Sequence, residues 1–129
     1  MQAKKKPTDS ELEILQLFWE NGPSTVRSIH DQLCIRKVTG YTTTLKLMQI
    51  MFEKGLLTRD ESAKTHIYTA AISRKAGQQQ AVNRLIDTMF KGSPAKLVMH
   101  ALGNHQPSTE EIDQIKAYLK ELQDPTAKH

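Results

Sequence analysis

Thr42, Lys46, Gln49 and Glu53 stand at spacings of four, three and four residues, and this run constrains the chain more than any other feature. At 3.6 residues per helical turn those spacings stack the four side chains in one polar line. Thr44, Leu47, Met48, Met51 and Phe52 then fall on the opposite side and need a core. Gly55 sits where a left-handed C-terminal cap is expected. A helix with a broad apolar back and a narrow front of Thr, Lys and Gln suits a DNA major groove, because such side chains reach base edges and phosphates. An ordinary amphipathic surface helix has the same pattern, so the neighbouring segments must decide.

Charge is the first of these neighbours. The net charge of +4 decides little, but its distribution does more. Asp9, Glu11, Glu13, Glu20 and Asp31 face a single Arg27 in the first stretch, whereas Arg36, Lys37, Lys46, Lys54 and Arg59 face a single Glu53 in the next. Lys4, Lys5 and Lys6 add to the basic side. A basic zone around the polar-fronted helix is what a phosphate-binding surface requires.

The segments on either side complete a pattern. Thr8-x-x-Glu11 and Ser10-x-x-Glu13 both fit a capping box, and Leu12, Ile14, Leu15, Leu17, Phe18 and Trp19 give the helix that follows a wide apolar face. Trp19 is read as core, and Asn21-Gly22-Pro23 stops the helix. Ser24 or Thr25 opens a second short helix carrying Val26, Ile29 and Leu33, and Arg36 to Gly40 forms a basic turn before the third. Three short helices with a tight turn before the last are a helix-turn-helix arrangement. Two β-type runs, from Leu56 to Asp60 and from Thr65 to Ala70, then read as a hairpin, with Lys64 at its tip and His66 an exposed strand residue. A hairpin directly after such a helix is a wing, and Lys64 is placed to meet a backbone phosphate.

From Ser73 the pattern is helical again. Ala81, Val82, Leu85, Ile86, Met89 and Phe90 form one stripe; Leu97, Val98, Ala101 and Leu102 form a second. Ser108 or Thr109 caps a last helix whose Ile112, Ile115, Leu119 and Leu122 recur at three, four and three, a coiled-coil-like seam. Asp124-Pro125 ends it, and Thr126 to His129 is expected to fray. Three short amphipathic helices cannot close a good core alone. Two copies packed together do so, and pairing two reading helices multiplies DNA affinity. Folding back onto the first half is the other way to cover these stripes.

Several classes of function find no support. There is no Gly-rich phosphate loop, no GxSxG, no HExxH and no CxxC, so no enzyme is indicated. His30 and Cys34 are four residues apart, but two ligands are too few for a metal. Cys34 is the single cysteine, which rules out an internal disulfide and fits a reducing cytoplasm. No run approaches a membrane span and the N-terminus has no signal-peptide pattern, so a cytoplasmic location is expected.

The order Leu12-x-Ile14-Leu15-x-x-Phe18-Trp19, Gly22-Pro23-x-Thr25-Val26, Tyr41-Thr42-Thr43-Thr44, Lys54-Gly55-Leu56-Leu57 and Tyr68 resembles the BlaI/MecI/CopY family of penicillinase repressors, from about Thr8 to Gln123. The resemblance implies a bacterial repressor with a winged-helix domain followed by a helical dimerisation domain. It implies operator contacts at Thr42, Thr43 and Lys46 and at Lys64 in the wing. Two positions depart from the family pattern: Ile50 stands where many relatives have Arg, and Ala63-Lys64 where Gly-Arg is frequent. The β-lactam branch further implies a membrane-anchored sensor peptidase that triggers cleavage at an Asn-Phe bond; the matching segment here, Leu97 to Ala101, has His100-Ala101 instead. The copper-responsive branch binds metal through a C-terminal cysteine motif that this chain lacks.

The expectation is a mostly α fold with a small β wing: a winged helix-turn-helix domain in residues 1–72 and a three-helix dimerisation domain in residues 73–129. The function expected is sequence-specific transcriptional repression by a homodimer on an inverted-repeat operator, without cofactor or metal. Thr42, Thr43, Lys46 and Gln49 are expected at bases or nearby phosphates, with Arg36, Lys37 and Lys64 on the backbone. Leu85, Met89, Phe90, Leu97, Val98, Leu102, Ile112, Ile115, Leu119 and Leu122 are expected in the dimer interface. Two alternatives stay open: a winged-helix protein-interaction module, and a repressor released by a small-molecule ligand rather than by proteolysis.

Overall fold

The computed structural model describes residues 6–124. Lys4 and Lys5, and the segment from Pro125 to His129, lie outside the described residues.

The first helix, α1 (Asp9–Asn21), starts on a reciprocal cap. The Glu11 backbone N–H donates to the Thr8 hydroxyl at 3.2 Å, and the Thr8 N–H donates to the Glu11 carboxylate at 2.9 Å. Of the two capping patterns in the sequence, Thr8 therefore supplies the cap and Ser10 lies within the helix. Gly22, at φ 79°, ends α1, and α2 (Val26–Arg36) begins on Thr25, whose hydroxyl accepts from the Ser28 N–H. Ser24 is not a cap. It bridges Tyr68, giving its N–H to the Tyr68 carbonyl at 2.9 Å and accepting the Tyr68 N–H at 2.8 Å.

The polar-fronted run forms α3 (Tyr41–Glu53). Gly55, at φ 84°, turns the chain out of it; the Gly55 N–H donates to the Phe52 carbonyl and the Leu56 N–H to the Met51 carbonyl, satisfying the helix end. Leu56 and Met51 are themselves fully buried, so the same turn closes an apolar contact. The wing follows: β1 (Leu57–Asp60) and β2 (Ile67–Ala70) are antiparallel, with Leu57 opposite Ala70 and Asp60 opposite Ile67. His66 precedes β2 and is half-buried rather than an exposed strand residue.

The core is built from Ile14, Leu15 and Phe18 of α1, Ile29 and Leu33 of α2, and Met48 and Met51 of α3, closed by Leu56, Leu57 and Tyr68. Three helices closed by a two-stranded sheet in this order make a winged helix. Two polar links run through it. The His30 Nδ1 lies 2.9 Å from the Thr44 hydroxyl, joining α2 to α3. The Glu11 carboxylate, 3% exposed, pairs with the Lys54 ammonium at the end of α3.

The chain divides into two compact units, residues 1–84 and 85–129, with the division inside α4 (Arg74–Met89). Three ties hold the first part of α4 to the winged helix. The Trp19 indole N–H donates to the Ile72 carbonyl at 2.9 Å. The same ring lies against Gly77, where an added Cβ would stand 2.5 Å from it. Arg84 donates to the Pro7 carbonyl and to Asp9. Trp19 is thus half-buried, and it packs against α4.

The second unit contains α5 (Pro94–Asn104) and α6 (Thr109–Gln123), capped by Ser93 and by a Ser108–Glu111 capping box. Neither helix has a buried residue. Met89, Val98, Leu102, Ile112, Leu119 and Leu122 are exposed, and Phe90, Leu97 and Ile115 are half-buried.

Candidate nucleic-acid interface

The back of α3 is fixed before its front can matter. Thr44, Met48 and Met51 are fully buried, while Leu45, Leu47 and Phe52 pack partly against the core. Each Met so placed contributes about 1.5–3 kcal/mol. With that face committed, Thr42, Thr43, Lys46 and Gln49 are exposed together on the other side, as is Glu53. Lys46 makes no ion pair among the described residues, so its ammonium is available to an incoming anion.

The bases counted in the sequence divide into free and committed groups. Lys54 is held internally by Glu11. Lys37 caps the end of α2 and pairs with Glu13 at 2.8 Å, with both side chains partly exposed; such a surface pair is worth about 0–1 kcal/mol and yields to a better anion. The Arg59 guanidinium lies 4.0 Å from the Phe52 ring centroid and pairs with Glu61. The Tyr68 hydroxyl and then the Glu61 carboxylate hold Arg59 above its ordinary pKa. Arg36, Lys46 and Lys64 are exposed and unpaired among the described residues.

The wing tip is shaped by Asp60. Its carboxylate accepts the Ser62 backbone N–H at 2.9 Å, a local turn that starts the reversal before Lys64. That backbone bond, and then the Ser62 hydroxyl, hold the Asp60 carboxyl below its ordinary pKa. Lys64 and Gln49 come together at an open groove of about 400 Å3 whose wall also includes Arg27 and His66.

Sequence reasoning did not find Arg27, His66 or this groove. Arg27 looked like a lone base in an acidic stretch; in the fold its guanidinium rests 4.7 Å from the Tyr41 ring centroid, at the start of α3. Ile35 and Val38, beside Arg36 and Lys37, are also strongly exposed, at 84% for Ile35. Among the described residues no group of three or more His, Cys, Asp or Glu side chains is placed to hold a metal. Cys34 lies 3.4 Å from the His30 Nε2 and adds no further ligand. No helix among the described residues is long and apolar enough to cross a membrane.

Comparison with known proteins agrees with this geometry. The chain is 26% identical over 119 residues to the transcriptional regulator BlaI of two strains of Mycobacterium tuberculosis, covering 89% of this chain and 83% of theirs. Its fold is similar to the solution structure of the DNA-binding domain of the repressor BlaI, with a TM-score of 0.52 and 18% identity over 59% of this chain and 93% of that domain. The pattern of the penicillinase repressor family matches residues 7–121, nearly the whole chain. The chain therefore belongs to the penicillinase repressor family, whose members are transcriptional repressors and not enzymes.

Proposed function

We propose that this protein represses transcription as a homodimer that places α3 of each protomer in a major groove of an inverted-repeat operator. The observation that carries the reading is the division of α3 into a buried back and an exposed Thr-Thr-Lys-Gln front. Thr42, Thr43, Lys46 and Gln49 contact bases or adjacent phosphates; Arg36, Lys37 and Lys64 hold the backbone. Phosphate engagement by Lys37 requires it to leave Glu13, a small cost at a partly exposed pair.

Dimerisation rests on the second unit. Its helices are capped and regular but have no fully buried residue, and an exposed apolar face of this kind calls for a partner. A two-fold axis between identical protomers sets the half-sites about 10 base pairs apart or a multiple of that. A sensor peptidase releasing the repressor would meet Met99, His100 and Ala101 exposed on α5.

A mobility-shift titration with DNA from upstream of its own gene tests the reading. Lys46→Ala is expected to weaken operator binding by about 1–3 kcal/mol if Lys46 reads a base. If it touches only phosphate, affinity falls alike on all sequences and the salt dependence flattens. A Lys46→Ala protein that binds like the parent removes Lys46 from the site.

A further inference from the structure

We propose that the groove between the start of α2, the front of α3 and the wing is a seat for a DNA backbone phosphate, with Arg27 and His66 among its contacts. The proposal rests on the DNA-binding reading above and names where a strand would lie. The groove's floor is apolar, from Val26, Leu45 and Tyr68, and its rim carries Arg27, Gln49, Lys64 and His66. No Asp or Glu among the described residues lines it.

The rim groups are donors in search of acceptors. Among the described residues, the side chains of Gln49, Lys64 and His66 make no hydrogen bond or ion pair within the protein. Arg27 is positioned by the Tyr41 ring, and its one ion pair among the described residues, with Asp31, is stretched to 3.9 Å between two exposed side chains. Arg59 also lines the groove, but Glu61 already balances its charge. With Arg59 balanced by Glu61 and Arg27 only loosely held by Asp31, the Arg27 and Lys64 cations and the Gln49 and His66 donors suit a phosphate, which accepts several charge-assisted hydrogen bonds at once. Gln49 and Lys64 also belong to the α3 front and the wing tip, so a strand lying along α3 passes over this groove. A phosphodiester is therefore the source that the geometry favours over a small free anion.

The test uses the full chain, an operator-containing duplex and an unrelated duplex, with affinities measured over a series of salt concentrations. Arg27→Ala is expected to weaken binding to both duplexes by the same factor and to lower the slope of log K against log salt by about 0.9, the loss of one phosphate contact. His66→Ala is expected to weaken both duplexes alike. Asp31→Asn releases Arg27 from its one acid and is expected to tighten both, a gain that damaged folding cannot imitate.

Unchanged affinity and slope in Arg27→Ala and His66→Ala, while Lys46→Ala still loses the operator, would overturn the seat and leave the DNA reading standing. A parent chain that binds neither duplex would overturn both. Saturable perturbation of the His66 ring signals by inorganic phosphate, with DNA affinity indifferent to Arg27 and His66, would assign the groove to a small anion and overturn the seat as proposed.

Discussion

Thr44 sits in the middle of the apolar back of α3, fully buried, and a buried hydroxyl needs a partner. Its partner is His30, and that bond fixes one helix of the helix-turn-helix against the other. Replacing Thr44 by Val keeps the shape and takes the oxygen partner from the His30 Nδ1, which should cost about 1–3 kcal/mol in denaturant unfolding. An unchanged midpoint would mean that the bond contributes nothing to stability. Gly77 makes the opposite case. Alanine is the better helix former by about 1 kcal/mol, but its methyl would stand 2.5 Å from the Trp19 ring. Overpacking of this kind costs about 1–3 kcal/mol, so Gly77→Ala should lower the melting temperature despite its better propensity. A raised melting temperature would show that Trp19 can move aside.

At the scale of elements, α3 was legible because periodicity alone separates its faces, and its end was legible because Gly55 supplies a positive φ. The wing was legible as two short runs around a polar turn. What the sequence could not reveal were pairings between distant residues. Counting Lys54 as surface charge was reasonable from spacing, yet Glu11, far away in the chain, takes it. Ser24 read as a capping residue because Ser and Thr are both good caps, and only the sheet decides that Thr25 caps while Ser24 bridges Tyr68. Trp19 and Arg84 likewise reach across the chain, to the Ile72 carbonyl before α4 and from α4 to Pro7. The wing also carries a pH dependence. Asp60 has its pKa lowered in the fold by the Ser62 N–H, so its contribution is present above the ordinary carboxylate range and is lost as pH falls through the lowered value. The Ser62 amide resonance should move with that titration in the parent and stay fixed in Asp60→Asn. A Ser62 signal indifferent to acid in the parent would contradict the turn.

For the whole molecule, the decisive asymmetry is between a first unit with a closed core and a second whose helices have none. Leu119 and Leu122 on α6, with Val98 and Leu102 on α5, are exposed apolar side chains on regular helices. In a symmetric dimer every substitution acts twice. Leu119→Glu removes at least about 1.5 kcal/mol of burial from each protomer, so the dimer dissociation constant should rise roughly 100-fold in sedimentation equilibrium. Sedimentation of parent and variant as the same monomer would refute the interface. Operator affinity should fall with the dimer, because each reading helix alone binds weakly.

The account stands on α3 reading DNA as one of a symmetric pair, and a footprint of the full chain on its own promoter addresses that most directly. The predicted result is two protected segments related by two-fold symmetry and about one helical turn or a multiple apart, both needing a higher protein concentration in Lys46→Ala than in the parent. Protection of a single unpaired segment, or a footprint that survives Lys46→Ala unaltered, would contradict it.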